Sequence, residues 1–326
     1  MLQKEIDVTQ FPLAFTDIFY AQQSPEQKLD IFLPEKGKGP YPLVVIVHGG
    51  GWISGGRREE CISSLYKTVS QGYAVAAVDY RLAPEGQWPL QVHDVKAALR
   101  FLRAHREQYR LDTETIVLWG NSAGAYLIQL VAATCRGHRI EDLAMGNAGE
   151  SCRVDGIISW YGVSDLAAQD QDMSETSGHP VRSHGGSMES PACQMLGCVI
   201  DENPKKAREA SSISYIDENF VPALIQHGTG DTLVSYRQSE RLYRKIVEAC
   251  GLERAALELF EGAEHGDMRF KTDENINRCI DFLDEIYWPG GRPKKRTPLP
   301  EIHLVEGTDG SGDVFETKRE DTIISG

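Results

Sequence analysis

The segment Gly120-Asn121-Ser122-Ala123-Gly124, set directly behind Glu114-Thr115-Ile116-Val117-Leu118-Trp119, constrains this chain more than any other stretch. The first part reads as a buried strand. Ala123 to Ala133 is rich in helix formers, with Leu127, Leu130 and Val131 spaced for one face, so a sharp strand-to-helix turn must fall between them. Gly120 and Gly124 have no β-carbon, which lets the turn be tight and the helix pack close to the strand. The Gly-x-Ser-x-Gly spacing is that of a nucleophile elbow with Ser122 at its apex. A serine hydroxyl is a poor nucleophile near neutral pH and needs a base beside it. A chemically silent glycine-serine turn would be spelled the same way, so other elements must separate the two.

One such element is His48-Gly49-Gly50-Gly51-Trp52, placed directly after the apolar run Leu43-Val44-Val45-Ile46-Val47. A triple glycine after a central strand leaves backbone N–H groups unshielded and able to converge on a small anion. Donors aimed at the oxyanion of a tetrahedral acyl intermediate contribute roughly 3–4 kcal/mol each. The N–H groups of Gly50 and Gly51 are assigned that role, with the N–H of Ala123 as third donor. A flexible glycine turn accounts for the glycines, but not for their position about seventy residues ahead of an elbow.

A nucleophilic serine requires a histidine, and the histidine requires a carboxylate on its other nitrogen. On this kind of scaffold the chain order is Ser, then Asp or Glu, then His, each partner on a loop after a late strand. Downstream of Ser122 stand His138, His179, His184, His227, His265 and His303. Leu257-Glu258-Leu259-Phe260 alternates as a strand, and the loop that follows it carries His265. His227 belongs to the end of the preceding strand, Pro222 to Gly228, which leads to Asp231. His179 and His184 lie in a polar segment with no strand before it. His265 is therefore the expected base and Asp231 the expected acid. Glu264 and Asp267 are rivals for the acid, but neighbours on one tight loop rarely reach back to Nδ1. Asp165, after an earlier strand, is a further rival.

Strand-like runs near 27–33, 42–48, 73–79, 114–119, 154–161, 222–228 and 256–260 alternate with helical runs near 59–70, 91–107, 123–134, 235–250 and 272–287. Such alternation predicts an α/β fold with a mainly parallel central sheet and helices on both faces. In the helix after Pro89, Val92, Val95, Leu99 and Leu102 form the inner face, while Lys96, Arg100 and Arg103 are expected outward. The 326 residues suit one domain over 1–288, interrupted by a polar lid or cap insertion at 167–200. Residues 289–326 read as a C-terminal tail or accessory arm, either disordered or packed against another subunit of a homo-oligomer.

The short basic run in that tail, within a chain of net charge −14, is a poor signal for nucleic acid. Seven cysteines at irregular spacing give neither a disulfide framework nor a zinc pattern, although Cys193 and Cys198 stand close enough to pair. No metal or other cofactor is expected. The first twenty residues lack a basic start with an apolar core, and no apolar run reaches transmembrane length. A reduced, cytoplasmic setting without membrane contact is the expectation. Trp52, Trp160 and Tyr161 fall at strand ends near the expected site. Their flat faces could bound a small acyl pocket or pack on a sugar ring; ordinary packing beneath loops is the competing account.

Four segments carry a family resemblance: His48-Gly49-Gly50-Gly51-Trp52, Asp79-Tyr80-Arg81-Leu82-Ala83-Pro84-Glu85, the elbow, and His227-Gly228-Thr229-Gly230-Asp231. Together they resemble α/β-hydrolase fold serine esterases of the hormone-sensitive-lipase type, over roughly residues 25–288. Ser159-Trp160-Tyr161-Gly162, Ser212-Ile213-Ser214-Tyr215 and Gln238-Ser239-Glu240 are similar to bacterial carbohydrate esterases of the feruloyl/acetyl-xylan type. Val163 stands where that subgroup often has proline, which puts the substrate-side loop in doubt. The resemblance implies a serine carboxylesterase acting on a small-molecule ester, with deacetylation of sugars or xylo-oligosaccharides foremost. Lipid-type or general carboxylesterase activity, arylformamide hydrolysis and a catalytically silent binding protein are the alternatives.

Overall fold

The computed structural model describes residues 4–137, 139–177, 184–292 and 296–306. His138, His179, part of the 167–200 insertion and the end of the tail lie outside them. The strands are β1 (Lys4–Ile6), β2 (Ala14–Phe19), β3 (Lys28–Phe32), β4 (Tyr41–Val47), β5 (Ala74–Val78), β6 (Leu111–Asn121), β7 (Gly156–Trp160), β8 (Ala223–Gly228), β9 (Ala255–Phe260) and β10 (Leu304–Glu306). The α-helices are α1 (Leu90–Ala104), α2 (Ala123–Thr134), α3 (Gln169–Ser177), α4 (Pro191–Leu196), α5 (Pro204–Glu209), α6 (Arg237–Cys250) and α7 (Asp273–Tyr287). The helical run expected near 59–70 is wound as a 3₁₀ helix, Glu60–Gln71.

Among the described residues the main sheet has eight strands in the order β2-β3-β5-β4-β6-β7-β8-β9. From β5 to β9 every pairing is parallel, and β2 and β3 join antiparallel at one edge. Both faces of β4 are covered. Leu43, Val45 and Val47 enter the apolar cluster beneath α1, α2 and α6, while Val44 and Ile46 enter the one beneath Glu60–Gln71 and α7. A strand buried on both sides reads as a continuous apolar run, and β4 does. The parallel strands all point their carboxyl ends to one rim, where open α/β sheets place their sites.

Lys96, Arg100 and Arg103 are not outward as expected. The loop between α2 and β7 folds over them, and each cation ties down backbone carbonyls there. Lys96 Nζ donates to Thr134 O (2.9 Å), Arg100 Nη2 to Asp142 O (2.8 Å), and Arg103 to Ser151 O and Arg153 O (both 2.7 Å). Arg100 also pairs with Glu141 at 2.5 Å. Helical periodicity marks these positions as polar but cannot foresee a loop that supplies them with acceptors.

The described part of the tail packs back on the rest of the chain. β10 pairs antiparallel with β1, and Arg292 and Arg296 both pair with Asp284 of α7. All seven cysteines are free, so Cys193 and Cys198 form no bridge. No described helix is long and apolar enough to cross a membrane.

Candidate active site

Ser122 lies between β6 and α2 with φ 51° and ψ −120°, a conformation L-residues rarely adopt. Backbone bonds on both sides hold it there. Its N–H donates to Trp160 O at the end of β7 (2.9 Å), and its carbonyl accepts from Tyr126 N in α2 (3.1 Å). A β-carbon on Gly120 would stand 2.7 Å from the Gly124 carbonyl carbon, so the turn has no room for a side chain there.

The loop after β9 brings His265 Nε2 to 2.9 Å from Ser122 Oγ. On the far side of the ring, Nδ1 lies 2.7 Å from Asp231 Oδ2. A carboxylate only accepts, so Nδ1 carries the hydrogen and Nε2 is left to accept from the serine hydroxyl. The ring packs edge-on against Tyr161, with centroids 4.7 Å apart. Burial alone would raise the Asp231 pKa. Hydrogen bonds from His227 and His265 outweigh it and hold the carboxyl well below the usual carboxylate range.

The rival residues are placed elsewhere. Asp165 caps the short turn Leu166–Ala168 through Ala167 N, Asp267 pairs with Arg269, and the Glu264 side chain is exposed. His184 bridges Asp170 and the Leu233 carbonyl, and His303 lies beside Gln10. His227 is the residue whose role the sequence left unread. It sits at the end of β8, fully buried, with Nε2 3.1 Å from Asp231 Oδ2. The four-residue spacing in His227-Gly228-Thr229-Gly230-Asp231 was the available signal.

The glycine loop after β4 is built to approach closely. Gly50 has φ 107°, and a β-carbon on it would stand 2.0 Å from Ser54 O, whose own N–H returns to Gly50 O. Behind it, Tyr80 stacks on His48 at 4.4 Å and donates to the His48 carbonyl. Arg81 forms a buried pair with Asp94 (2.7 Å) and thereby fixes the Asp79–Glu85 segment. Gln91 reaches from α1 to the Trp52 and Arg81 carbonyls (both 3.0 Å). Ala123 is the first residue of α2, so its N–H has no acceptor within the helix.

A cavity of about 570 Å³ opens above these groups, and Gly50, Gly51, Ser122, Ala123 and His265 all line it. Trp52 and Tyr161 line it as well. Trp160 does not: it is wholly buried on the opposite face of β7, edge-on to Trp119 and against Phe270. Its assignment to substrate is corrected to core packing: Trp119 and Phe270 enclose its ring, whereas Tyr161, just past the end of β7 with φ 41°, reaches the cavity. From the 167–200 segment, Gln169, His184, Pro191 and Ala192 line the cavity. The Cys61 thiol also lines the cavity, but burial, reinforced by Glu59, pushes it up to about 12. It is no thiolate nucleophile at neutral pH. Among the described residues no group of three or more His, Cys, Asp or Glu is placed to hold a metal ion.

The sheet order, the strained elbow and the hydrogen-bonded chain Ser122–His265–Asp231 define an α/β-hydrolase. Residues 29–246 match the BD-FAE family model, and the chain belongs to that family. It is 29% identical over 271 residues to "Esterase LipC" of Mycobacterium tuberculosis, covering 81% of this chain and 63% of that protein. It is 27% identical over 277 residues to "Esterase LipQ" of the same organism, covering 83% and 62%. The chain thus spans about three fifths of the length of these relatives. Among solved structures, a "Truncated form of carbohydrate esterase from gut microbiota" superposes with TM-score 0.77 at 24% identity, over 86% of this chain and 98% of that one. A "Bifunctional GH43-CE" of Bacteroides eggerthii superposes with TM-score 0.72 at 27% identity, over 83% and 35%.

Proposed function

We propose that the chain is a serine carboxylesterase that cleaves small esters through an acyl-enzyme. The observation that carries this reading is the pair of contacts on His265, 2.9 Å to Ser122 Oγ and 2.7 Å to Asp231 Oδ2. Ser122 attacks the ester carbonyl while His265 Nε2 takes the hydroxyl proton. Asp231 orients the ring and stabilises the imidazolium. The N–H groups of Gly50, Gly51 and Ala123 hold the oxyanion as the carbonyl becomes tetrahedral. His265 then protonates the departing alcohol. A water molecule, deprotonated by the same nitrogen, attacks the acyl carbon and releases the acid.

For the substrate, the reading is an acetylated sugar or xylo-oligosaccharide. One structural neighbour bears a carbohydrate esterase title, and the family match runs over most of the chain. The cavity combines flat faces from Trp52 and Tyr161 with polar groups from Gln169, Thr232 and Lys271, a lining suited to a small acyl group and a hydroxylated alcohol. Seven free thiols, four of them buried, support a reducing compartment for this activity.

The test is turnover of a short p-nitrophenyl ester by wild type and Ser122→Ala, with labelling by a fluorophosphonate probe. Wild type is expected to turn over and to be labelled at Ser122, and the variant to do neither while keeping its circular dichroism spectrum. Turnover by the variant, or an unlabelled and inactive wild type, would end the proposal. The latter outcome would favour a binding protein on a hydrolase scaffold. Acetylated xylo-oligosaccharides compared with octanoyl esters and arylformamides address the substrate class, and preference for the long acyl chain would overturn the sugar reading.

A further inference from the structure

Asp231 receives four hydrogen bonds, and one comes from a side chain that the proposed acyl transfer does not use. Oδ1 accepts from the backbone N–H groups of Leu233 (2.8 Å) and Val234 (2.9 Å). Oδ2 accepts from two imidazoles, His265 Nδ1 at 2.7 Å and His227 Nε2 at 3.1 Å. The side chains of His227 and Asp231 are both closed to solvent.

The surroundings of His227 determine where its proton sits. Nε2 faces two groups that only accept, Asp231 Oδ2 and the Val234 carbonyl at 2.9 Å, so Nε2 carries the hydrogen. Nδ1 lies 2.7 Å from the hydroxyl of Ser239, the third residue of α6, and accepts from it. The hydrogen bonds therefore run in one direction, from Ser239 through His227 to the carboxylate.

The geometry points to His227 as a positioning residue for the proposed catalytic base: a neutral Nε2–H imidazole that holds Asp231 Oδ2 and shares it with His265. This inference rests on the esterase reading above. Rotation about the terminal carboxylate bond has only broad minima, and the two backbone donors engage Oδ1 alone. His227 adds the second point that fixes the plane of the carboxylate toward His265. It also draws charge from the oxygen that His265 uses, so the carboxylate attracts the His265 proton less strongly. Removing the His227 donor therefore lets His265 hold its proton to higher pH, and the acid limb of kcat/KM moves upward.

Other groups around His265 stay constant in such an experiment. Tyr161 lies edge-on to the ring, and Glu264 and Asp267 flank it on its own loop. Across the cavity stand Glu59, Cys61, Lys271 and His184. None contacts the His227 ring within hydrogen-bonding distance among the described residues.

The experiment compares wild type, His227→Leu, His227→Gln and Ser239→Ala on p-nitrophenyl acetate, and follows His265 by NMR of ¹⁵N-histidine-labelled protein. His227→Leu is expected to lower kcat about tenfold or more, to leave KM within about twofold, and to raise the acid limb by about half a unit or more. Gln offers a donor where Nε2 stood, and its variant is expected to recover most of kcat and the original limb. Ser239→Ala, the milder change, is expected to shift the limb in the same direction by less. In wild type, the ¹⁵N shifts are expected to show His227 with its hydrogen on Nε2, as its two acceptors require.

An unmoved limb and an unmoved His265 titration in both His227→Leu and Ser239→Ala would overturn the proposal. A wild-type His227 with its hydrogen on Nδ1, or a Gln variant no better than Leu, would do the same. The NMR titration needs no turnover, so a wild type without esterase activity sinks the proposed function and leaves this measurement able to decide the Asp231–His227 coupling.

Discussion

Gly124 and Val47 meet backbone to backbone: a β-carbon on Gly124 would stand 2.0 Å from the Val47 carbonyl oxygen. That contact sets how closely the first turn of α2 approaches the end of β4, where the glycine loop begins. It places the Ala123 N–H and the Gly50–Gly51 N–H groups around one cavity. Gly124→Ala is expected to destabilise the fold by about 3 kcal/mol, as backbone cannot give way as a flexible side chain can. Urea denaturation measures this, and fluorophosphonate labelling of the folded fraction is expected to fall with it. A variant with wild-type stability would mean that the helix moves freely.

The acid of the proposed triad predicts a large loss without unfolding. Asp231→Asn keeps the shape but cannot hold His265 in the Nδ1–H form with a full negative charge, so kcat on a short ester is expected to fall roughly ten-thousand-fold. Steady-state kinetics with active-site titration checks it. A loss below about tenfold would remove Asp231 from the proposed role.

Acid stability follows from the same group. The folded-state pKa of Asp231 is depressed, so its contribution is fully present above the unfolded value near ~3.9 and is lost as pH falls through the folded value. Urea midpoints of wild type and Asp231→Asn are therefore expected to differ most above about pH 4 and to converge as the pH is lowered further. Parallel curves down to about pH 2 would contradict the linkage.

Arg81 and Asp94 form a second buried relationship that supports the site from below. Asp94 is fully buried and also accepts from Arg81 N (2.9 Å) and Gln27 Nε2 (2.8 Å). Asp94→Ala leaves the Arg81 guanidinium, itself nearly buried, without its partner. The expected cost is about 3–5 kcal/mol in chemical denaturation, with Tm lowered accordingly. A change within about 0.5 kcal/mol would show that solvent reaches the guanidinium.

One carboxylate gathers several of the contacts that hold the described part of the tail. Asp284 accepts from Tyr73 Oη (2.5 Å), Arg292 Nη1 (3.0 Å) and Arg296 Nη2 (2.6 Å). Asp284→Ala is expected to cost about 2 kcal/mol and to expose the tail to limited proteolysis after residue 288, with ester turnover unchanged. Resistance of the variant to protease would mean that the Gln71–Thr297 contacts and the β1–β10 pairing suffice to retain the tail.

Much of the architecture is spelled locally. Most of the parallel strands contain a short apolar run, and α1, α2, α6 and α7 carry helical periodicity, so each announces itself within a dozen residues. β2 does not, because most of its side chains are exposed at the sheet edge and no alternation marks it. β1 and β10 are three residues each, and only their pairing across almost the whole chain makes them strands. The 167–200 segment gives no periodic signal, yet its Gln169, His184, Pro191 and Ala192 line the cavity.

By itself the sequence determined the backbone chemistry at the rim: glycines where a β-carbon cannot fit, a serine at a strand-to-helix turn, and an acid and a histidine each behind a late strand. These are short-range constraints, written in neighbouring residues. Only the tertiary structure decided which side chains meet. It buried Trp160 while Tyr161 reached the cavity, covered the α1 cations with a loop, and set His227 on the same carboxylate oxygen as His265. Those outcomes depend on how the chain turns past the end of a strand and on what a distant loop brings to it, and such long-range packing leaves no pattern in the sequence around each residue.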